Sequence, residues 1–241
     1  MDIFNIKQIM IPPGTVSSIH CGNTLLWKNS TLPDGYQRLT HIETTGAQYI
    51  DTGIMASSHI DGIQYLFRGC VTGFVQTAGN NYLFGCLNNG QRSGNISMRM
   101  GSNYNKTYVY IGSESAQIWI ADLPELNTDF EIRMTAVSTE PENVAAYLNN
   151  TAFTMLHEPT PSPMPEDNIY LLWCKGVGST SKPFKGKIYT FQMNAADGTP
   201  LRNFVPCRRV SDSVVGFYDV VGNGFYENIG TGTFTAGEIQ N

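Results

Sequence analysis

From Tyr36 onward, apolar and polar residues alternate with a period of two far more often than 3.6, which predicts strands and not helices. In Phe130-Glu131-Ile132-Arg133-Met134-Thr135 the alternation is strict, so one face should be buried and the other wet. Ile96-Ser97-Met98-Arg99-Met100 repeats the pattern. Val144 to Leu148, then Asn149-Asn150, then Thr151-Ala152-Phe153 predicts a hairpin, because asparagine tolerates the positive φ of a type I′ turn. Ile169-Tyr170-Leu171-Leu172-Trp173-Cys174 is apolar throughout and predicts a strand buried on both sides. Nothing reads as an amphipathic helix beyond a turn near Glu140 to Ala145.

Residues 1–30 follow a different rule. Ile3, Phe4, Ile6, Ile9 and Ile11 precede a break at Pro12-Pro13-Gly14, and Val16, Ile19, Leu25, Leu26 and Trp27 follow it. Short strands are expected here, with turns at Pro13-Gly14 and Gly22-Asn23. Thirty residues bury too little apolar surface to fold alone. The segment is therefore expected to be an N-terminal β appendage that serves in attachment or oligomerisation through Ile3, Phe4, Ile6, Ile9, Ile11 and Trp27. Asn29 to Gly35 supplies a linker and a turn into the main domain, residues 31–241. Prolines at 159, 161, 163 and 165 mark His157 to Asn168 as an extended connection outside the sheets, either a stiff surface loop or an arm gripping a neighbouring subunit.

Composition narrows the function classes. Charged residues make up 15% and there are 24 glycines, which suits many short strands and tight turns. A net charge of -5, with Arg208-Arg209 as the only adjacent basic pair, argues against nucleic acid as a partner. Residues 1–14 lack an apolar run long enough for a signal peptide or membrane span, so synthesis in the cytoplasm and no membrane partner are expected. Cys21, Cys70, Cys86, Cys174 and Cys207 are odd in number and scattered, which predicts free thiols.

Two segments resemble a known family. Leu32-Pro33-Asp34-Gly35-Tyr36, Leu39, His41-Ile42-Glu43, Thr45-Gly46 and Gln48-Tyr49-Ile50-Asp51-Thr52-Gly53 resemble the opening of concanavalin A-like, laminin G-like domains of phage and gut-bacterial surface proteins. The closing segments are similar too: Gly186-Lys187-Ile188-Tyr189, Phe204-Val205-Pro206-Cys207, Val215-Gly216-Phe217-Tyr218-Asp219, Gly224-Phe225-Tyr226, Asn228 and Gly230 to Phe234. The resemblance covers residues 32 to about 237 and implies an all-β, two-sheet antiparallel jelly-roll sandwich. Val16, Ile19, Gly22 and Leu26-Trp27 resemble the attachment hairpin that opens some phage structural proteins. The resemblance thus implies a bacteriophage virion surface protein, whether capsid decoration, head fibre or tail-associated adhesin. Its partners would be other virion proteins, sister chains in a homo-oligomer, and host-surface or mucosal glycans.

Catalytic chemistry is not expected. Glycosidases need two carboxylates flanking the bond, about 5 to 9.5 Å apart. Asp61 has no glutamate partner, and Glu131 stands alone beside Arg133. There is no G-x-S-x-G elbow, and His20, His41, His59 and His157 have no metal-ligand spacing. Related folds hold calcium at the sheet rim; Asp51, Asp61, Asp122 and Asp129 are present but read as turn and capping residues, so no cofactor is assigned. Sugar recognition needs an aromatic platform. Trp119, opposed to Ile118 and Ile120, and the same-face pair Tyr108 and Tyr110 are the candidates, with core or subunit packing as their alternative use. The leading expectation is a non-enzymatic, lectin-like virion protein; a bacterial cell-surface glycan-binding module is the alternative, and a glycoside hydrolase ranks below both.

Overall fold

A computed structural model of the 241-residue chain describes residues 18–21, 24–28, 32–75, 80–88, 91–101, 105–112, 119–137, 144–158, 160–174 and 181–240. Strand follows strand among them. The first are β1 (Ser18–Cys21), β2 (Thr24–Lys28), β3 (Tyr36–Arg38), β4 (Ile42–Thr45), β5 (Ile50–Met55), β6 (Ile63–Val71) and β7 (Asn80–Asn88). Next come β8 (Gln91–Gly101), β9 (Lys106–Gly112), β10 (Trp119–Asp122), β11 (Asp129–Ala136), β12 (Ala145–Leu148), β13 (Thr151–Ala152) and β14 (Thr154–Met155). The last are β15 (Asn168–Leu171), β16 (Ser181–Pro183), β17 (Lys185–Ala195), β18 (Pro200–Arg209), β19 (Val215–Asp219), β20 (Gly224–Tyr226) and β21 (Thr235–Ala236). A 3-10 turn at Ala56–Ser58 is the one helical element among the described residues.

Two sheets form the sandwich. An eight-stranded sheet runs β14-β10-β9-β8-β7-β15-β5, with β16 also on β7. An eleven-stranded sheet runs β13-β12-β11-β6-β17-β18-β19-β20, with β4 on β17, β21 on β4 and β3 on β18. Pairing is antiparallel except between β16 and β7. The expected two-sheet jelly-roll architecture is the one found. β1 and β2 pair with each other alone, Ile19 opposite Trp27. Ile3, Phe4, Ile6, Ile9 and Ile11 lie outside the described residues, and Trp27 is placed only as a backbone position on β2.

The expected alternation places the core. Along β11 the side chains of Phe130, Ile132, Met134 and Ala136 are buried and those between them are not. A train of rings joins the sheets: Tyr65 stacks on Phe84 at 4.6 Å, Phe84 meets Phe191 at 5.4 Å, and Phe191 stacks on Phe204 at 6.2 Å. Each fully buried phenylalanine contributes about 1.5–3 kcal/mol by area alone, and each favourable ring pair roughly 0.5–1.5 kcal/mol more.

The turns follow the sequence chemistry. Asn149 and Asn150 take φ of 48° and 67°, and Tyr147 pairs with Ala152, which is the hairpin that the double asparagine predicts. Gly35 takes φ 91° in the turn that Tyr36 N–H closes on the Pro33 carbonyl. The opening and closing segments of the sandwich also meet. Tyr49 N–H donates to Asn228 Oδ1 at 3.0 Å, Ile229 N–H donates to the Tyr49 carbonyl at 3.0 Å, and β21 pairs with β4.

Three expectations need correction. The apolar run at 169–174 is not one strand buried on both faces: β15 ends at Leu171, Leu172 turns at φ 70°, and Tyr170 is half-buried. Over its described side chains, 96–101, β8 has no wet face, since Ser97 is buried and Arg99 half-buried on the side opposite Met98. The proline tract is more than a surface loop. Met164 is 3% exposed within the core, and Ser57 and Ala56 N–H donate to the Pro165 and Asp167 carbonyls. Proline donates no N–H but keeps its carbonyl, so the tract ties down the 3-10 turn without joining a sheet.

Candidate ligand-binding groove

On the outer face of the eleven-stranded sheet, strand register sets out ranks of side chains that are polar except for Leu66. Arg133, Leu66, Gln192 and Asn203 are successive cross-strand partners on β11, β6, β17 and β18. Glu131, Arg68 and Thr190 form the adjacent rank, and Thr135, Gln64 and Asn194 lie on the other side. Four strands at their usual spacing give a floor about 14 Å across. Residues from these ranks, with Arg38, Tyr189, Val205 and the 220–221 turn, line a groove of about 720 Å³. Tyr189 is the extra residue of a bulge in β17, between Ile188 opposite Gly69 and Thr190 opposite Arg68.

The groove's charges are organised around one carboxylate. Glu131 Oε2 accepts from Arg68 Nε at 2.6 Å, and its Oε1 lies 2.6 Å from Arg133 Nη2. The carboxylate lies underneath, its side chain 15% exposed against 57% for Arg68 and 42% for Arg133. An approaching ligand therefore meets guanidinium edges before it meets the acid. Burial lowers the pKa of Arg38. The Tyr189 hydroxyl donates to Asp129, and burial followed by that bond pushes its pKa up. His41 packs edge-on against the Tyr189 ring at 6.0 Å, and burial, then the Lys187 charge, lower its pKa.

Arg202 borders the groove but turns its guanidinium inward. Its strand partner is the core residue Met193, its Nε donates to the Thr52 carbonyl of β5 at 2.9 Å, and it stands 3.5 Å from the fully buried Asp219. Asp219 also accepts from the N–H groups of Asn203, Val221 and Gly222 at 2.9, 3.1 and 2.9 Å. The last residue of the Val215 to Asp219 motif is thus a buried brace between the sheets.

The aromatic candidates lie elsewhere. Trp119, 6% exposed, points into the core where its strand partner is Val109. Tyr108 and Tyr110 do share a face, on the outer side of the eight-stranded sheet, but they are 5% and 4% exposed and Arg99 lies 3.8 Å from the Tyr110 ring centroid. None of the three presents an open ring to a sugar. Alternation marks the two tyrosine rings as outward-facing, but the outer face around Tyr108, Tyr110 and Ser97 is covered. The groove residues Arg68, Gln192 and Asn203 were missed because each sits on a different strand. Their one local signal was alternation along 63–68, which marks Gln64, Leu66 and Arg68 as outward-facing.

Asp51 accepts from Gly53 N–H and Asn168 Nδ2, Asp122 pairs with Lys106, Asp129 accepts from Tyr189, and Asp61 is exposed on a turn. These four carboxylates do not converge, and no group of three His, Cys, Asp or Glu side chains suited to a metal occurs among the described residues. The calcium that the resemblance suggests therefore has no matching ligand set there. Cys70, Cys86, Cys174 and Cys207 are buried and form no disulfide, and burial pushes the Cys207 thiol up to about 12. No helix among the described residues is long and apolar enough to cross a membrane.

No protein-family model matches the chain, and no curated protein matches it. Solved structures do. The sandwich is similar to the CBM40 domain of Ruminococcus gnavus IT-sialidase, at 12% identity over 66% of this chain and 90% of that one, with a TM-score of 0.46. It is also similar to domains LG4-5 of the mouse laminin alpha1 chain, at 12% identity over 72% of this chain and 46% of that one, with a TM-score of 0.47. A third is the heptameric SAP-like pentraxin of Limulus polyphemus, at 12% identity over 73% and 74%, with a TM-score of 0.42. The likeness is one of architecture.

Proposed function

We propose that the protein is a non-enzymatic carbohydrate-binding module that holds its ligand in the groove of the eleven-stranded sheet. The observation that carries this reading is the floor itself: Gln192, Asn194 and Asn203 offer amide donors and acceptors beside Arg68 and Arg133, in an open trough about four strands wide. Sugar hydroxyls both donate and accept, and such a floor matches them. Among the described lining residues Glu131 is the sole carboxylate, and it is engaged by two arginines. A two-carboxylate hydrolysis has no second acid there.

The sequence resemblance of residues 32 to about 237 supports placing this module on a bacteriophage particle, with residues 1–30 as its attachment or oligomerisation segment. Affinity electrophoresis against a panel of polysaccharides tests the binding reading. Retardation by at least one is expected, weakened about tenfold or more by Gln192→Ala with Asn203→Ala, with no release of reducing sugar. A protein that no polysaccharide retards, or that is retarded equally after both changes, would overturn it. The particle setting is tested separately: mass spectrometry should find the chain in purified virions, and deletion of residues 1–30 should abolish its incorporation.

A further inference from the structure

We infer that the groove selects acidic glycans, with Arg68 and Arg133 as the residues that grip the anionic group. The inference rests on the binding reading above and adds the ligand's charge class. The chain as a whole is acidic, with a net charge of -5 and eight arginines among 241 residues. Four of the eight, Arg38, Arg68, Arg133 and Arg202, line this one groove; Arg202 is turned to the buried Asp219, and the other three stand against the single lining carboxylate of Glu131. A positive trough on a negative protein concentrates anions locally and does so without making the whole surface adhesive to them.

The geometry says more than the count. Two guanidiniums on one carboxylate, Arg68 from the neighbouring strand and Arg133 two residues along the same strand, would be an ordinary surface network if all three groups were equally exposed. They are not: Glu131 is 15% exposed beneath Arg68 at 57% and Arg133 at 42%. The carboxylate fixes one edge of each guanidinium, through Arg68 Nε and Arg133 Nη2, and each fork has further N–H donors beyond the one it gives to Glu131. Those donors are held in place before the ligand arrives, so less side-chain entropy is lost on binding. Carboxylate and sulfate oxygens accept such paired donors far better than a hydroxyl does, because the bond is charge-assisted.

The test uses the full-length protein and polymers that differ in charge alone. Dextran sulfate is compared with dextran, and polygalacturonate with its carboxyl-reduced form, by isothermal titration calorimetry at 50 and 300 mM salt. The expected result is binding to one or both acidic polymers at least tenfold tighter than to the neutral counterpart, weakened by salt. Arg68→Gln with Arg133→Gln should remove that preference while the melting temperature stays within a few degrees. Equal affinity for the neutral polymers would overturn the charge selectivity and leave the carbohydrate-binding reading standing. Selectivity that survives in the double variant would overturn the assignment to these two arginines. Binding to none of the four polymers overturns the inference, and the wider panel above then decides whether the binding reading falls with it.

Discussion

Replacing Asp219 by alanine should destabilise the fold by about 4 kcal/mol without touching the hydrophobic core. The carboxylate is fully buried, accepts three backbone N–H groups from Asn203, Val221 and Gly222, and faces Arg202 at 3.5 Å. Each buried donor left without a partner costs about 1–3 kcal/mol, and breaking a buried ion pair by removing one member costs roughly 3–5 kcal/mol. Those sums overlap, and water entering beside Arg202, 20% exposed, offsets part of them, which sets the estimate near the middle of the ion-pair range. Asp219→Asn should lose about 2 kcal/mol or more, because one oxygen is kept while the new NH2 faces the Gly222 N–H or Arg202. Urea unfolding with intact m-value is the assay; at an m of about 3 kcal/mol/M the alanine variant shifts the midpoint by roughly 1.3 M. A cycle with Arg202→Met should show coupling above about 1 kcal/mol. A loss below about 1 kcal/mol for Asp219→Ala, or strict additivity with Arg202→Met, would refute the brace.

Met164→Ala should cost about 2–5 kcal/mol in the same assay, since the side chain is 3% exposed in the core; a surface-loop methionine would lose less than about 0.5 kcal/mol. Tyr170, pushed up to about 12 chiefly by burial and then by Asp51, stays protonated in the folded state after an ordinary tyrosine near 10 has ionised. Its contribution to stability is therefore complete below pH 10 and is lost between about pH 10 and 12, so Tyr170→Phe should flatten the fall in stability across that window and remove a late step from the absorbance titration of phenolate.

The strands and their inward residues were legible because alternation is a local signal and a buried face enforces it. Phe130 to Thr135 and the Asn149-Asn150 turn needed no knowledge of their neighbours. Pairing was legible only where a turn dictates it, as between β12 and β13. The groove was not, because its floor is assembled from β6, β11, β17 and β18, and Gln64 is separated from its cross-strand partner Asn194 by most of the domain. Nor could alternation tell which outer face would stay wet. Ser97 and Arg99 read as solvent-facing in the sequence for the same reason that Glu131 and Arg133 did.

The contrast between those two pairs explains why the outer face stays open over Glu131 and Arg133 and closes over Ser97 and Arg99. Arg99 lies over the Tyr110 ring at 3.8 Å and donates to the Tyr82 hydroxyl at 3.2 Å, with Tyr82 and Tyr110 themselves each 4% exposed. Its charge is spent on ring faces and a phenol in a closed cluster, where a cation over an aromatic ring is worth about 0.5–2 kcal/mol. Arg133 pairs with Glu131 and its side chain stays 42% exposed, although Tyr147 on β12 and Leu66 on β6 are its cross-strand partners. Around Arg68 the eleven-stranded sheet places Glu131 and Thr190, polar side chains that hydrate well and do not close over it. The same residue type therefore stabilises one sheet by being covered and equips the other by staying open, and the difference lies in what engages each guanidinium: tyrosine rings and a phenol at Arg99, and the carboxylate of Glu131 at Arg68 and at Arg133, even though Tyr147 lies across from Arg133.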